Sequence, residues 1–361
     1  MKKQISTVFM FAALFMLPAC KKDNPRFEEE NPNDATTNVE EVLKTTCNAP
    51  GWASSGGTCN GGGDATETSV SNLTQLTTAI SPNKKVIKIT QNITLTSKIQ
   101  LSGKSDMTIY GVPGVKIKNL STSASNSGCF RIKDCSDMII RNLIFEGPGA
   151  YDTDGGDNIA LENSSRIWVD HCDFQDAVDG NLDITNGSNY ISVTYCKFSY
   201  LKPPISGGSG GSNDHRFSNL IGSSDSKTSD RNKLKITFAR CWWSSGCRER
   251  MPRVRFGQVH VLNCYFNCSG NNECIAAGKE ANIRIEKCYF SGVDDPIKQK
   301  SSNFTAYQNI ESIFSNCTGT TASSGTAFNP PYSITTLSAA GVVSDITGSA
   351  GATLSGNDCG F

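Results

Sequence analysis

The chain has 361 residues, and its 34 Lys and Arg balance its 34 Asp and Glu to a formal net charge of zero at pH 7. A neutral surface excludes general attraction to nucleic acid or to an anionic membrane. Any preference for a polyanion must therefore come from a local patch of basic residues.

The first twenty residues have the order of a secretory signal. Lys2 and Lys3 precede an apolar run from Ile5 to Leu17, and a small residue then precedes Cys20. A cysteine at this point predicts a bacterial lipoprotein signal (1–20), with an ordinary cleaved signal as the alternative. Because the apolar run is shorter than the roughly 18 residues of a membrane-spanning helix, we expect an exported protein. A lipid on Cys20 would tether it to the outer membrane or cell surface, and without the lipid it would be secreted.

Residues 21–46 are polar and acidic, which predicts a flexible linker. The remaining residues, 47–361, are long for an ordinary domain but suit a single elongated repeat fold. No second domain boundary is visible, and we expect a monomer.

Residues 71–80 predict a short cap helix. Ser71 and Asn72 suit a helix start, and apolar residues follow at positions 73, 76, 79 and 80. A repeat fold needs such a cap because its open edge would otherwise keep pairing. At the other end, the Ser-, Thr- and Gly-rich tail from about residue 311 is expected to pack along the outside of the repeats.

One pattern recurs six times between residues 138 and 290. It consists of two alternating apolar residues, two polar residues, a cysteine or leucine, a spacer and an aromatic residue, the last being Phe145, Phe174, Phe198, Trp243, Phe266 and Phe290. These aromatic residues are 29, 24, 45, 23 and 24 residues apart, so the unit is about 24 residues and one unit carries an insertion within the Gly- and Ser-rich stretch 203–229. Strand-and-turn units of this length predict an all-β fold, a parallel β-helix whose turns stack about 4.8 Å apart.

Stacking would place one cysteine of each unit in an inward ladder, formed by Cys172, Cys196, Cys241, Cys264 and Cys288. We expect free packed thiols in this ladder, with bridges between neighbours as the alternative. The better disulfide candidates lie off the ladder: Cys47 with Cys59, Cys129 with Cys135, and Cys268 with Cys274.

Acidic residues recur on neighbouring turns. Asp157 and Asp183 are 26 residues apart, about one turn, and Asp179 lies close to Asp183 in the sequence. A single such residue would be interpreted as a solvated loop residue, but several on adjacent turns would repel one another without a cation. An all-oxygen cluster favours calcium over zinc or iron, and Asp154 is a further candidate ligand.

Basic residues share this strip. Lys202 lies 23 residues after Asp179, and the segment from Arg250 to Arg255 lies about one turn further once the insertion is removed. Clustered arginines suit an acidic substrate, although a salt-bridged surface strand has the same composition. Pro252 disturbs the strand alternation, so spacing does not select the reactive arginine.

Several ordered motifs make the chain resemble the pectate lyase family, extracellular right-handed parallel β-helix enzymes that cleave polygalacturonate. The motifs span most of the mature chain and lie at residues 51–63, 105–111, 167–171, 179–184, 220–225 and 250–260. The resemblance implies that residues 47–361 form a catalytic domain. It also implies calcium-dependent β-elimination of α-1,4-linked polygalacturonate (pectate), with 4,5-unsaturated oligogalacturonides as products.

The resemblance implies roles for individual residues. The family's calcium-binding acids correspond to Asp157, Asp179 and Asp183. Arg250, in the pattern RxPxxR, corresponds to the essential arginine that takes the C5 proton, and Arg255 to a substrate-binding arginine.

Two departures from the family pattern affect the other roles. The stretch Asp154-Gly155-Gly156-Asp157 is one residue longer than the family's DGD, so Asp154 is less securely placed than Asp157. Lys202 corresponds to the substrate lysine, but the insertion makes Arg216 a rival.

Three other functions account for part of the pattern. A pectin lyase acting on methylated substrate would not need the calcium acids, and a hydrolase of the polygalacturonase type needs two carboxyls flanking one bond. A non-catalytic glycan-binding β-helix explains the repeat and the tether but not the strip of acids and arginines. Asp170-His171 invites interpretation as a catalytic pair, but its place in the repeat favours a hydrogen-bonded framework element.

Overall fold

The computed structural model describes residues 48–83 and 85–355. The predicted lipoprotein signal, the linker at 21–46, Cys20 and the half-cystine candidate Cys47 lie outside these residues. The structure therefore does not test those predictions.

The described residues contain two α-helices, α1 (Leu73–Ala79) and α2 (Val342–Ser349), and short strands. The strands of the first half are β1 (Glu67–Val70), β2 (Lys85–Ile89), β3 (Ile93–Thr94), β4 (Ile99–Ser102), β5 (Ser105–Gly111), β6 (Lys116–Lys118), β7 (Phe130–Lys133), β8 (Ser136–Arg141), β9 (Ile144–Glu146), β10 (Ile159–Glu162), β11 (Ser165–Asp170), β12 (Asp173–Gln175), β13 (Leu182–Thr185) and β14 (Asn189–Thr194). Those of the second half are β15 (Lys197–Ser199), β16 (Leu220–Ile221), β17 (Lys235–Ala239), β18 (Trp242–Trp243), β19 (Arg253–Val254), β20 (Gln258–Leu262), β21 (Tyr265–Phe266), β22 (Ile275–Ala277), β23 (Asn282–Glu286), β24 (Tyr289–Ser291), β25 (Ile297–Gln299), β26 (Ala306–Ile310) and β27 (Ile313–Ser315).

The strands form a right-handed parallel β-helix, which confirms the predicted fold. Within the described chain, sheet A stacks β1, β2, β5 and then every third strand to β26, sheet B stacks every third strand from β3 to β27, and sheet C stacks every third strand from β4 to β25. Each coil therefore adds one strand to each sheet, in the order A, B, C. Every pairing between these strands is parallel.

The predicted aromatic residues form a stack in the core. Successive rings of Phe145, Phe174 and Phe198 are stacked 5.2 Å apart, and Trp243 follows Phe198 at the same distance. All are fully buried. Because equivalent side chains of adjacent coils repeat at the strand spacing, one aromatic residue per unit produces a continuous inner column.

The polar residues of each repeat unit have a local structural role. The two polar residues of each unit form the turn between sheets A and B, where a residue such as Asn142 (φ 53°) or His171 (φ 46°) adopts the left-handed conformation. Asn142 Nδ2 donates to Gly111 O at 2.9 Å, so the turn side chain ties one coil to the one before it. Short polar side chains tolerate this backbone better than branched ones do.

The cysteine ladder is buried and its thiols are free, as predicted. The disulfide pairs predicted off the ladder are wrong where the structure describes both partners. Cys129 and Cys135 are separated by the extended strand β7, which holds them too far apart to bridge. Cys268 and Cys274 lie side by side as thiols.

Helices close two exposed surfaces of the coil. α1 caps the first coil as predicted, and the Asn72 side chain accepts a hydrogen bond from Gln75 N at 3.0 Å. The tail packs on the outside, also as predicted, and its α2 contributes Val342 and Ile346 to a cluster with Tyr265 on the outer face of sheet B. Among the described residues, no helix has the length and apolarity to cross a membrane.

Candidate active site

The outer face of sheet C and the loops that lead into it hold most of the predicted site residues. The loops from sheet B to sheet C carry Asp157, Asp179 and Arg250, while Asp183 lies on β13 and Arg253 on β19. Between β13 and β19 lies β16, whose Leu220 pairs with Arg253. The acids and arginines therefore come from successive coils, as the repeat predicted.

Asp157 and Asp183 face the same point. Asp157 Oδ1 accepts the N–H of Gly180 at 2.9 Å, and Asp183 Oδ1 accepts the N–H of Leu220 at 2.9 Å. A Cβ at Gly180 would collide with the Asp183 carboxylate and lie 2.9 Å from Asp157 Oδ1. Glycine at 180 thus leaves open a small space lined by carboxylate oxygens.

The electrostatics of this space disfavour bare carboxylates. Burial, followed by the charges of Asp183 and Asp179, raises the pKa of Asp157 well above its usual value. Burial and the Asp179 charge raise the pKa of Asp183 to about 7. The positive charge of Arg250 acts in the opposite direction on both, so its guanidinium is close to the two acids.

The Asp179 carboxylate faces His215, a residue that the sequence pattern did not indicate. Its Oδ1 lies 2.7 Å from His215 Nε2, and the main-chain O of Asp179 accepts a hydrogen bond from Tyr200 Oη at 3.0 Å. In the described chain, no three His, Cys, Asp or Glu side chains already have metal-site spacing. Two predicted ligands therefore converge, and the third is adjacent but held by His215.

Arg250 occupies an unusual backbone position at the edge of this cluster. Its φ is 60°, and its carbonyl accepts the N–H of Asn219 at 2.6 Å. The guanidinium carbon lies 4.7 Å from the centre of the Phe217 ring, and its buried Nε has no hydrogen-bond partner among the described atoms. The Phe217 ring therefore packs against the Arg250 guanidinium, whose N–H groups remain available as hydrogen-bond donors.

The other two arginines of the segment differ in their partners. Arg255 Nε donates to Asp225 Oδ1 at 2.7 Å and Nη1 to the carbonyl of Gly222 at 2.9 Å. Arg253 has a buried Nε without a partner and no ion pair within the described chain, and burial and then the charges of Arg255 and Arg250 lower its pKa. A salt-bridged surface strand, the other interpretation of this arginine cluster, therefore does not describe Arg253.

Lys202 and its rival Arg216 are both engaged elsewhere. Lys202 Nζ lies 3.2 Å from Glu146 Oε1 and donates to Gly147 O at 2.6 Å. Although partial burial opposes it, hydrogen bonds from Lys116 and Lys202 lower the pKa of Glu146 to about 2. Arg216 forms two hydrogen bonds with Asp214, at 2.6 and 2.7 Å. Of the two, Lys202 has the more easily exchanged contacts.

The acidic stretch before Asp157 is arranged differently from expectation. Asp154, the predicted further ligand, is exposed and has no hydrogen bond or ion pair with a described residue. Asp152 is buried instead, and its Oδ1 lies 3.2 Å from His215 Nδ1. The extra glycine of this stretch is a sequence signal that the spacing had changed, but nothing in the sequence pointed to His215 as the partner.

Asp170 and His171 belong to the framework, as predicted. His171 Nδ1 lies 2.9 Å from Asp170 Oδ2, Arg141 Nε donates to the same oxygen at 2.9 Å, and the His171 ring stacks on Tyr195. All of these side chains are buried on the sheet A side of the coil.

The comparisons with known proteins agree with this geometry. A family model described as pectate lyase matches residues 37–355. The chain belongs to this family. It is 30% identical over 275 residues to a probable pectate lyase B of Aspergillus terreus, covering 73% of this chain and 75% of the relative. It is 36% identical over 202 residues to a pectate trisaccharide-lyase of Thermotoga maritima, covering 54% of this chain and 48% of the relative.

A solved structure supports the fold. A Bacillus subtilis pectate lyase variant superposes with a TM-score of 0.69 at 24% identity, over 87% of this chain and 99% of that chain. The family match and the relatives, independently of this structure, make the protein an enzyme of the polysaccharide lyase class.

Proposed function

We propose that the protein is a calcium-dependent pectate lyase that cleaves α-1,4-linked polygalacturonate by β-elimination to 4,5-unsaturated oligogalacturonides. The observation that carries the proposal is the convergence of Asp157 and Asp183 in front of Gly180, within the field of the Arg250 guanidinium. The names of the relatives, pectate lyase and pectate trisaccharide-lyase, support the substrate.

The residues fit a calcium ion. Asp157, Asp183 and the adjacent Asp179 offer only oxygen ligands, which a hard cation prefers. Burial and then the charges of the neighbouring acids raise the pKa values of Asp157 and Asp183, and a bound cation would favour their charged forms. When bound, calcium would withdraw charge from a substrate carboxylate and make the neighbouring C5 proton more acidic.

In the proposed reaction, Arg250 accepts the C5 proton. The electrons of the C5–H bond form the C4–C5 double bond, the bond from C4 to the glycosidic oxygen breaks, and that oxygen takes a proton from water. Because a guanidinium is normally protonated, we expect activity to rise into the alkaline range. The unpartnered donors of Arg250 and its position on Phe217 leave it free to face a substrate.

Three cations would bind substrate carboxylates. Arg255 is fixed in direction by Asp225, and Lys202 must exchange Glu146 for the substrate. Arg253, on the same face as Asp183 and without a carboxylate partner in the described chain, joins the two predicted residues. A half-buried cation without an ion-pair partner is unfavourable, so a bound anion would stabilise it.

The alternative reaction is disfavoured by the spacing of the carboxyls. Inverting hydrolysis uses two carboxyls about 6.5–9.5 Å apart, with water between them. Here a Cβ at Gly180 would lie 2.2 Å from Asp183 Oδ1 and 2.9 Å from Asp157 Oδ1, so the two oxygens are closer together than the inverting spacing.

One experiment tests the proposed function. Purified protein is incubated with polygalacturonate or with highly esterified pectin, each with calcium or EDTA, and both ultraviolet absorbance and reducing ends are measured. We expect absorbance to rise only for polygalacturonate with calcium. Reducing ends without absorbance would indicate a hydrolase, and equal activity on esterified pectin in EDTA a pectin lyase. Binding without chain shortening would indicate a glycan-binding protein.

We also propose that the enzyme is exported and anchored by a lipid on Cys20, with the membrane surface as its only membrane contact. The order of charge, apolar run and Cys20 supports this.

A further inference from the structure

Within the inserted stretch 203–229, residues 208–215 pack directly against the acidic stretch of the site. Gly210 N donates to Asp152 O at 2.8 Å, and Ser212 N donates to Asp152 Oδ2 at 2.6 Å. A Cβ at Gly208 or Gly210 would collide with atoms of Asp152. The glycines of the insertion thus allow a close approach that brings the end of the segment to the site.

His215 is buried at this junction and touches both halves of the proposed machinery. Its Nε2 lies 2.7 Å from Asp179 Oδ1, and its Nδ1 lies 3.2 Å from Asp152 Oδ1 without the alignment of a hydrogen bond. The ring centre is 4.3 Å from that of Phe217, and Phe217 in turn lies under the guanidinium of Arg250.

We propose that His215 is a positioning residue that fixes the Asp179 carboxylate for calcium and, through Phe217, supports the guanidinium of Arg250. The inference rests on the proposed roles of Asp179 and Arg250. Asp179 lies beside two other acids that repel it, so a donor on Oδ1 is needed to hold it there, and Oδ2 remains available to a cation. Partners that orient a metal ligand typically change metal affinity by about 10- to 100-fold when removed.

The first test measures calcium binding to the metal-free enzyme by titration calorimetry, which does not depend on turnover. We expect His215→Ala to weaken binding by roughly tenfold or more, and His215→Gln to restore part of it because the amide can donate to Asp179. Wild-type affinity in His215→Ala would overturn the proposal. If the alanine variant does not fold, the glutamine variant decides, since it must then fall measurably below wild type.

The matched control is His260. It is also buried, with Nδ1 3.1 Å from Tyr332 Oη and Nε2 3.4 Å from Glu286 on sheet A, away from the acids. We expect His260→Gln to lower the melting temperature while calcium affinity stays unchanged. An equal loss of affinity in both variants would show that His215 acts only through general stability, and would overturn the proposal.

The contact with Arg250 has its own variant, Phe217→Leu, which removes the ring but keeps bulk. We expect a lower kcat on polygalacturonate with calcium affinity unchanged, and an unchanged kcat would refute this part of the proposal. Failure of the wild-type enzyme to bind calcium or to form unsaturated product would instead refute the proposed function. The two failures are therefore distinguishable.

Discussion

Arg250 combines an unfavourable backbone conformation with a half-buried guanidinium whose Nε has no hydrogen-bond partner among the described atoms. A residue with a Cβ at a φ of 60° is strained, and such conformations are retained where the surrounding structure enforces them, often at functional sites. Here the hydrogen bond from Asn219 N to the Arg250 carbonyl and the Phe217 ring enforce it. In this conformation the guanidinium is close enough to Asp157 and Asp183 for its charge to act on both.

Arg250→Lys should lower kcat on polygalacturonate by about 10²- to 10⁴-fold, the usual contribution of a proton-transfer group. A lysine keeps the charge, but its single ammonium cannot reproduce the planar guanidinium on Phe217. Initial rates at saturating substrate and calcium measure the effect. Arg248→Lys is the control, because Arg248 pairs with Asp214 outside the acidic cluster. An Arg250→Lys enzyme with full turnover would exclude Arg250 as the base.

Arg253→Ala should raise KM by roughly 10- to 100-fold, the worth of a charged hydrogen bond, with a smaller change in kcat. The expectation follows from a cation that has no acid partner in the described structure and shares a face with Asp183. Steady-state kinetics on polygalacturonate measure both constants. Arg231→Ala, at an exposed arginine that pairs with Glu280, should leave KM unchanged. Unchanged KM in Arg253→Ala would remove Arg253 from the substrate-binding set.

At the scale of elements, the repeat made the fold predictable. One aromatic and one cysteine per 24 residues determine what lies inside each coil, so sheets A, B and C, the inner stacks and α1 follow from sequence spacing. The loops between sheets B and C do not, because their lengths vary and their contacts depend on which coil they reach. For this reason spacing indicated that Asp157, Asp183 and Arg250 lie near one another, but it predicted neither the missing ion pair of Arg253 nor the free thiols of the proposed disulfide pairs.

His215 shows the same limit more clearly. It lies in an insertion without periodicity, and its partner Asp152 is 63 residues earlier in the chain. Only the folded loop brings the two together. Asp154, which a family pattern selects by its distance from Asp157, is exposed, and the stretch between the two carries an extra glycine.

Phe198→Ala should lower the free energy of unfolding by about 3–5 kcal/mol, since it leaves a cavity in the aromatic stack between Phe174 and Trp243. Phe198→Leu should lower it clearly less because most of the volume remains. Urea denaturation followed by intrinsic fluorescence compares the two. Equal losses would contradict this expectation, because they would mean that the aromatic ring, and not the apolar volume, provides the stabilisation.

At the scale of the whole molecule, the raised pKa of Asp183 predicts how stability depends on pH. Its value moves from 3.8 to about 7 on folding, so the folded protein favours the protonated acid. The stabilisation is complete below pH 3.8 and is lost as the pH rises through 7. Melting temperatures of the metal-free protein should therefore fall across pH 7. Asp183→Asn should show a smaller fall, and a fall of the same size in that variant would contradict the assignment.

The predicted anchor concerns the molecule's place in the cell. Cys20→Ala should move the enzyme from the membrane fraction to the soluble fraction or culture medium, because a thioether-linked lipid is then impossible. Immunoblots of fractionated cells and labelling with a radioactive fatty acid measure this. Labelling that persists in Cys20→Ala would place the lipid elsewhere.

The strip on sheet C is built by four consecutive coils, those of β10, β13, β16 and β19. No single one of these coils contains all the residues of the proposed site. Catalysis therefore requires neighbouring coils to pair in the correct register. Enzymatic activity therefore requires that these coils have folded together. A partly folded β-helix would be inactive even though every reactive side chain is present. Adding or removing coils outside these four would change the length of polysaccharide that the protein contacts. It would not change the residues that react with the substrate.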